Sequence, residues 1–174
     1  FSTVNLAGLT NLESLSVGYG GDIDFLNIDD LVNLKTISLY ETHISALDLT
    51  NCSSLKTFSA QETDLDTLIL NGLINLESFK LRSNNGNLTH LDLSDLTSLT
   101  YFEASNTHLT SINFEQNTLL EEILFTENQF INSLDFSGLT NLTKLSCYDN
   151  QLTTINVSQN TNLKYLNCSD NQLT

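Results

Sequence analysis

The sequence predicts a β-solenoid of about eight stacked units, each of 21–23 residues, with a parallel sheet on one face and short strands or turns on the other side. Three observations lead there. The 174 residues include 34 Leu and 22 Asn but no Pro, Met or Trp, a bias that an ordinary domain does not show. The segment Leu142-Thr-Lys-Leu145-Ser-Cys147-Tyr-Asp-Asn150-Gln-Leu152 recurs as Leu163-Lys-Tyr-Leu166-Asn-Cys168-Ser-Asp-Asn171-Gln-Leu173, offset by 21 residues at every position. The same frame runs backwards through anchors at Leu120, Leu99, Leu76, Leu55, Leu34 and Leu12, at spacings of 21, 22 or 23.

Each unit carries apolar residues three and five places after its anchor: Leu15/Val17, Ile37/Leu39, Phe58/Ala60, Phe79/Leu81, Phe102/Ala104, Ile123/Phe125, Leu145/Cys147 and Leu166/Cys168. Period-two alternation marks a strand with one buried face. A second alternating pair follows in Leu47/Leu49, Leu68/Leu70, Leu91/Leu93, Ile112/Phe114, Leu134/Phe136 and Ile155/Val157, so the unit has two buried edges. Alone it cannot close a core, and stacking on neighbours is what buries its leucine columns. Strands about 4.8 Å apart make the eight units a body roughly 35–40 Å long. The additional residues of the longer units fall after the strand, around Gly20-Gly21, Asn85-Gly86 and Ile131-Asn132, where they lengthen a loop and leave the stack intact. Residues 1–174 read as one array. Both ends fall inside a unit and no polar cap is visible, so the array is expected to be a slice of a longer chain.

Between the second pair of apolar residues runs a column of Asn5, Asn27, Asp48, Ile69, Asp92, Asn113, Asp135 and Asn156, in which no two acids are adjacent. Carboxylates stacked at strand spacing repel, so this interleaving suits turn and backbone hydrogen bonding rather than an ion track.

The motif from Leu163 to Leu173 resembles the leucine-rich repeat, Leu-x-x-Leu-x-Leu-x-x-Asn-x-Leu, with Cys168 in the third apolar slot. The resemblance covers essentially the whole chain. In unit length and in Cys147 and Cys168 it is similar to the cysteine-bearing bacterial repeats of internalin J type and to secreted repeat proteins of Bacteroidota. It implies that the Asn column bonds inward to backbone between turns. Thr42, Thr63 and Thr107 depart from that column, as does Gly20, and a hydroxyl offers one donor where an amide offers two, so a weaker ladder is expected at those units. The resemblance also implies export to the extracellular space or the bacterial cell surface and a role in adhesion.

Twenty-one acids against six bases give a net charge of −15, which argues against nucleic acid as a partner and against an anionic membrane surface. No apolar run reaches spanning length and no basic-then-apolar leader opens the chain, so direct membrane insertion is not expected. Cys147 and Cys168 point inward on adjacent strands and read as a thiol ladder, with Cys52 in a leucine slot of the core; a metal would need further ligands where the neighbours are Leu and Ile. Asp22, Asp24, Asp29 and Asp30 lack the spacing of a calcium loop and read as a solvated turn. His43, His90 and His108 are scattered surface residues, the first and last of these roughly 15 Å apart along the stack. Motifs for acyl transfer, zinc hydrolysis, phosphate binding or dithiol chemistry are absent, so no catalytic residue, metal or cofactor is assigned. The sequons at Asn87 and Asn141 follow from the repeat's own use of Asn and Thr.

The tyrosines supply the functional signal. Residues two, four and six places after the anchor face outward onto the concave side, and the seventh lies at its edge. All five tyrosines, Tyr19, Tyr40, Tyr101, Tyr148 and Tyr165, take those slots, whereas the phenylalanines mostly fill leucine columns. Tyrosine combines a rigid apolar body with a polar tip, which suits recognition; it is also well tolerated on any exposed sheet. Around the rings lie Glu41, Glu62, Glu103, Glu122, Glu127, Asp149 and Asp170, a basic island at Lys80 and Arg82, and Leu124 as the one large aliphatic residue in a central outward slot. The expected binding face is therefore Tyr19, Tyr40, Tyr101, Glu103, Leu124, Tyr148 and Tyr165. The function expected is a non-catalytic module of an exported bacterial protein that binds a protein or cell-surface polymer. A structural spacer, or a recognition module attached to an enzyme elsewhere in the parent chain, is the alternative.

Overall fold

The computed structural model describes residues 2–18, 23–128 and 132–174. Twelve strands follow in order: β1 (Ser2–Asn5), β2 (Ser14–Gly18), β3 (Ile23–Asn27), β4 (Thr36–Thr42), β5 (Ala46–Asp48), β6 (Thr57–Thr63), β7 (Thr67–Ile69), β8 (Ser78–Arg82), β9 (Tyr101–Ser105), β10 (Glu122–Leu124), β11 (Lys144–Ser146) and β12 (Tyr165–Asn167). Eight of them form one parallel sheet in the order β12-β11-β10-β9-β8-β6-β4-β2, one strand from each unit. The register is the one that the repeat frame predicts. Leu15, Ile37, Phe58, Phe79, Phe102, Ile123, Leu145 and Leu166 are successive partners across all seven steps. No helix among the described residues is long and apolar enough to cross a membrane.

The core is the stack of those columns. All eight anchors except the terminal Leu12 and Leu163 are fully buried. Phenylalanine forms a spine through it. Phe58, Phe79 and Phe102 stack at centroid separations of 5.2 and 5.4 Å, Phe114 meets Phe102 edge-on at 5.2 Å, and Phe136 continues from Phe114 at 6.4 Å. The rings extend the buried apolar area that holds one unit on the next, because a single unit has too little.

The second edge is built differently along the chain. β1 pairs with β3 and β5 with β7, so the N-terminal half has two short two-stranded sheets there. Beyond residue 70, where the apolar pairs Leu91/Leu93, Ile112/Phe114, Leu134/Phe136 and Ile155/Val157 continue, no second strand forms among the described residues. Turns take over, and the Asn/Asp column caps them. Asn5, Asn27, Asp48, Asp92, Asn113, Asp135 and Asn156 each accept through Oδ1 the backbone N–H two residues on, at 2.9–3.1 Å. This is the local turn bond that Asx side chains favour, and it is the structural use expected for the column. Of the loop insertions, Gly20-Gly21 and Ile131 lie outside the described residues. At Asn85-Gly86 the chain folds tightly over the preceding unit: a Cβ on Gly86 would stand 2.3 Å from the Leu65 carbonyl oxygen, so only glycine fits.

Asparagine serves two further ladders that the repeat motif does not announce. Asn33, Asn75, Asn141 and Asn162, each one place before an anchor, donate to a backbone carbonyl of the preceding unit at 2.8–3.1 Å. Asn117 and Asn160 occupy leucine slots in the core and donate to Leu93 and Leu96, and to Phe136 and Leu139.

Candidate functional site

The concave sheet is set by three outward slots per strand, and its lateral edge by the seventh residue after each anchor. That seventh residue is left-handed in every described unit: Glu41, Glu62, Ser83, Asn106, Glu127, Asp149 and Asp170, with φ between 49° and 59°. β8 and β9 end just before the corner, whereas β4 and β6 run one residue past it. From Ser83 onwards its N–H stays in the ladder, donating to the next unit's sixth-slot carbonyl, as in Glu127 to Tyr148 and Asp149 to Ser169, both 3.1 Å. The left-handed region is uncommon for residues other than glycine, with Asn and Asp the most tolerant, so nothing in the backbone calls for glutamate there.

Behind this corner lies the Asn/Thr column. Asn150 Nδ2 donates to the carbonyls of Phe125, Cys147 and Tyr148 at 2.8, 2.8 and 3.1 Å, and its Oδ1 accepts the Asn128 N–H at 3.2 Å. On either side, Asn171 donates to the carbonyls of Cys147, Cys168 and Ser169 and accepts the Leu152 N–H, and Asn128 donates to those of Ala104 and Thr126 and accepts the Thr107 N–H. The threonines depart from this in two ways. Thr63 and Thr107 donate their hydroxyls to Asn84 and Asn128 in the following unit, at 3.1 and 2.5 Å. Thr42, which is followed by another threonine, is buried with no partner for Oγ1 among the described residues. The expected weakening of the side-chain ladder is therefore localised at the Thr42–Thr63 step, and there the backbone compensates because the two residues pair in the sheet.

Of the expected face residues, Tyr19 lies outside the described residues. Tyr40, Tyr101, Tyr148, Tyr165 and Leu124 all take outward slots and are half-buried, apart from Tyr165, which is 49% exposed. The residues divide into two kinds. Tyr101 and Glu103 are drawn into a closed network at the middle of the sheet. Arg82 grips the Glu103 carboxylate through both Nε and Nη2, the second at 2.8 Å; the Tyr101 hydroxyl donates to the same carboxylate at 2.7 Å; and Lys80 lies 5.0 Å from the Tyr101 ring centroid. Glu103 is only 4% exposed, so its carboxylate is a structural acceptor rather than a free contact. Burial, and then the hydrogen bond to Glu103, push the Tyr101 phenol far above its ordinary pKa, while the bond to Glu103 holds Arg82 still more firmly charged. Sequence reading found the Lys80/Arg82 island and missed its partner; the repeat offset places Lys80 directly opposite Glu103, and that offset is the signal that could have found it.

Tyr40 and Tyr148 are different, each flanked by the acidic edge. Tyr40 donates to Glu62 at 3.4 Å, and Asp170 and Asp149 raise the Tyr148 phenol by their charge. Bases do not neutralise this edge. Lys35, Lys56 and Lys144 pair with Glu13, Glu77 and Glu122, and no Lys or Arg pairs with Glu41, Glu127, Asp149 or Asp170 among the described residues.

The thiols are not paired in disulfides. Cys147 packs beside Cys168 as expected, and Cys52 lies in the core; all three are free. Burial pushes Cys52 up to about 11 and Cys147 up to about 12. No group of three or more His, Cys, Asp or Glu among the described residues could hold a metal ion. Asp24 accepts the Ser2 N–H, Asp22 lies outside the described residues, and His43, His90 and His108 are exposed on the surface. Grooves of about 240 and 330 Å³ lie on the second edge, by Phe25, Ala46 and Ile69 and by Asn113 and Asp135, away from the tyrosines.

No protein-family model and no curated protein matches the sequence. Solved structures do. An internalin (inlF) from Listeria monocytogenes is similar with a TM-score of 0.79 and 28% identity, over 95% of this chain and 50% of that one. A leucine-rich repeat protein from Leptospira interrogans gives a TM-score of 0.78 and 21% identity, over 97% of this chain and 53% of that one. The functional domain of InlJ from Listeria monocytogenes, described as including a cysteine ladder, gives 0.63 and 21%, over 99% and 50%. The chain thus spans about half the length of these structures.

Proposed function

Because the chain is a leucine-rich repeat solenoid of the bacterial internalin type, we propose that it is a protein-binding module that recognises its partner through the concave face and acts outside the bacterial cell, as part of a surface protein. The observation that carries this reading is the one-sided placement of tyrosine. Tyr40, Tyr148 and Tyr165 stand on an open sheet with large, rigid, amphipathic side chains, while the phenylalanines Phe58, Phe79, Phe102, Phe125 and Phe136 are buried in the core. A partner of protein surface rather than nucleic acid fits the charge of −15. Among the described residues no side chain on the face is arranged for chemistry, which supports a module that binds rather than catalyses. Glu103 and Tyr101 contribute by holding the centre of the face rigid, and Leu124 by offering an apolar contact.

The test is capture from host-cell and bacterial surface extracts by the chain and by a variant with Tyr40, Tyr148 and Tyr165 changed to serine. Tyr101 is left in place because its removal would strip an acceptor bond from the buried Glu103. Both proteins should melt alike. Loss of capture by the variant alone supports the recognition face; equal capture, or none by either, favours a spacer whose concave face binds nothing.

A further inference from the structure

We propose that Cys147 and Cys168 form a site for one soft, two-coordinate metal ion of the mercuric kind, held in line between their two sulfurs. The site does not depend on the recognition face. Leu145 and Leu166 are partners in the sheet, and each cysteine lies two places further along its own unit, in the inward slot. The chains stay side by side past that point, because the Cys147 N–H donates to the Asn167 carbonyl at 2.8 Å and the Asp149 N–H to that of Ser169 at 3.1 Å. The two cysteines therefore stand one strand step apart, about 4.8 Å, and both are free thiols.

That step decides which bridge fits. A disulfide needs sulfurs about 2 Å apart, so side chains projecting in parallel from neighbouring strands have to tilt towards each other to form one. Zinc needs four ligands, and no third His, Cys, Asp or Glu joins the pair among the described residues. Two metal–sulfur bonds of about 2.3 Å laid end to end span about 4.6 Å, close to the strand step. Thiolates select soft ions, and those with a filled d shell take two collinear sulfurs as a complete set. Charge narrows the class further. Cys147 is wholly buried, in the same core column as Phe125, where an unpaired charge is costly. A divalent ion between two thiolates is neutral, whereas cuprous or silver ion leaves one negative charge behind. Burial, and then the neighbouring Cys168, push the Cys147 thiol up to about 12, so it is protonated at neutral pH and yields only to an ion that displaces the proton. On binding, two S–H bonds break, two metal–sulfur bonds form, two protons pass to water, and nothing is oxidised or reduced. Cys52 is the comparison within the chain. It is equally buried, but the matching positions of the neighbouring units are Leu31 and Leu73, so it offers one sulfur and no bridge.

The test titrates mercuric chloride into the reduced full chain and into C52A, C147A and C168A, read by native mass spectrometry. Alanine suits the cysteine slot, since Ala60 and Ala104 hold it, buried, in other units. At one equivalent the chain and C52A should each gain one mercury, lose two protons and retain no chloride. Both should keep the ion against β-mercaptoethanol about a hundredfold better than C147A or C168A, because the second sulfur binds within the molecule. With the ion bound, the amides of 144–168 should exchange more slowly. Loss of one proton per mercury, equal retention by C147A or C168A, or equal retention of zinc each overturns the proposal. So does faster exchange across 144–168, which marks an ion held by the opened chain. The proton count and the exchange are read on the unsubstituted chain, so they decide the matter even where an alanine variant folds poorly.

Discussion

In β4 and β6 the strands run seven residues, through the left-handed Glu41 and Glu62 to Thr42 and Thr63, which pair backbone to backbone. In β10 and β11 they stop after three, and Asn128 and Asn150 hold neighbouring units together through their side chains. The difference follows from reach and donor number. An amide can span to the carbonyls of Phe125 and Cys147 while the chain turns off the sheet, so the backbone ladder is released early. A threonine hydroxyl can supply at most one bond, so the chain stays paired by its backbone. The N-terminal half adds second-edge sheets, the phenylalanine spine runs through both halves from Phe58 to Phe136, and the C-terminal half relies more on the inward amides. Identical spacing in the sequence therefore conceals two sources of stability.

The largest way to break this contrast is at its apolar pole. Phe79 is wholly buried between Phe58 and Phe102, and Phe79→Ala is expected to lower the urea unfolding free energy by about 4 kcal/mol through the cavity left behind. Hydrogen exchange should show the units around it opening first. Its counterpart is Asn150→Ala, which removes a donor from three carbonyls and the acceptor of the Asn128 N–H and is expected to cost about 3 kcal/mol. Exchange should then begin around 128–171 and leave β4 and β6 protected. Opening in the same place for both variants would mean that the two halves are one cooperative unit. A smaller pair sharpens the Thr side. Thr42→Val removes a buried hydroxyl that has no partner and should raise stability by about 1 kcal/mol, whereas Thr63→Val removes a bond to Asn84 and should lower it by about the same amount. Two changes of the same sign would refute the assignment of the orphan to Thr42.

The eight units, their register and the inward columns were legible because each depends on a periodic apolar signal that a one-residue slip would destroy. The cap column was legible for a related reason, since its pattern of acids and amides carries a local bond. What escaped were features that involve two units without a shared residue type. Lys80 and Glu103 face each other only when the 23-residue spacing between Leu76 and Leu99 is laid out as a ladder, and Arg82 reaches the same carboxylate from further along β8. The burial of Glu103 ran against its outward slot, because the partners above it and not the slot decide exposure. Nor does sequence reveal that the seventh residue is left-handed. Glutamate at three of those seven positions gives no hint of the backbone that the corner imposes.

The smallest expected effect concerns acid, and it should not distinguish the halves. The turn bonds from Thr50, Ser94 and Ser137 hold Asp48, Asp92 and Asp135 below the ordinary carboxylate value of 3.8. A group whose folded pKa is depressed contributes stability that is fully present above the unfolded value and is lost as pH falls through the folded one. The melting temperature should therefore fall more steeply, as pH drops below the ordinary carboxylate value, in the chain than in D48N/D92N/D135N, whose amides accept the same bonds without titrating. Asp48 belongs to β5 in the threonine half, while Asp92 and Asp135 cap turns where no second strand forms, so protonation loosens both regions together. Acid opening confined to one half, with the variant showing the same slope as the parent, would assign the loss to that half's own acids and leave the caps as geometric features without a thermodynamic part.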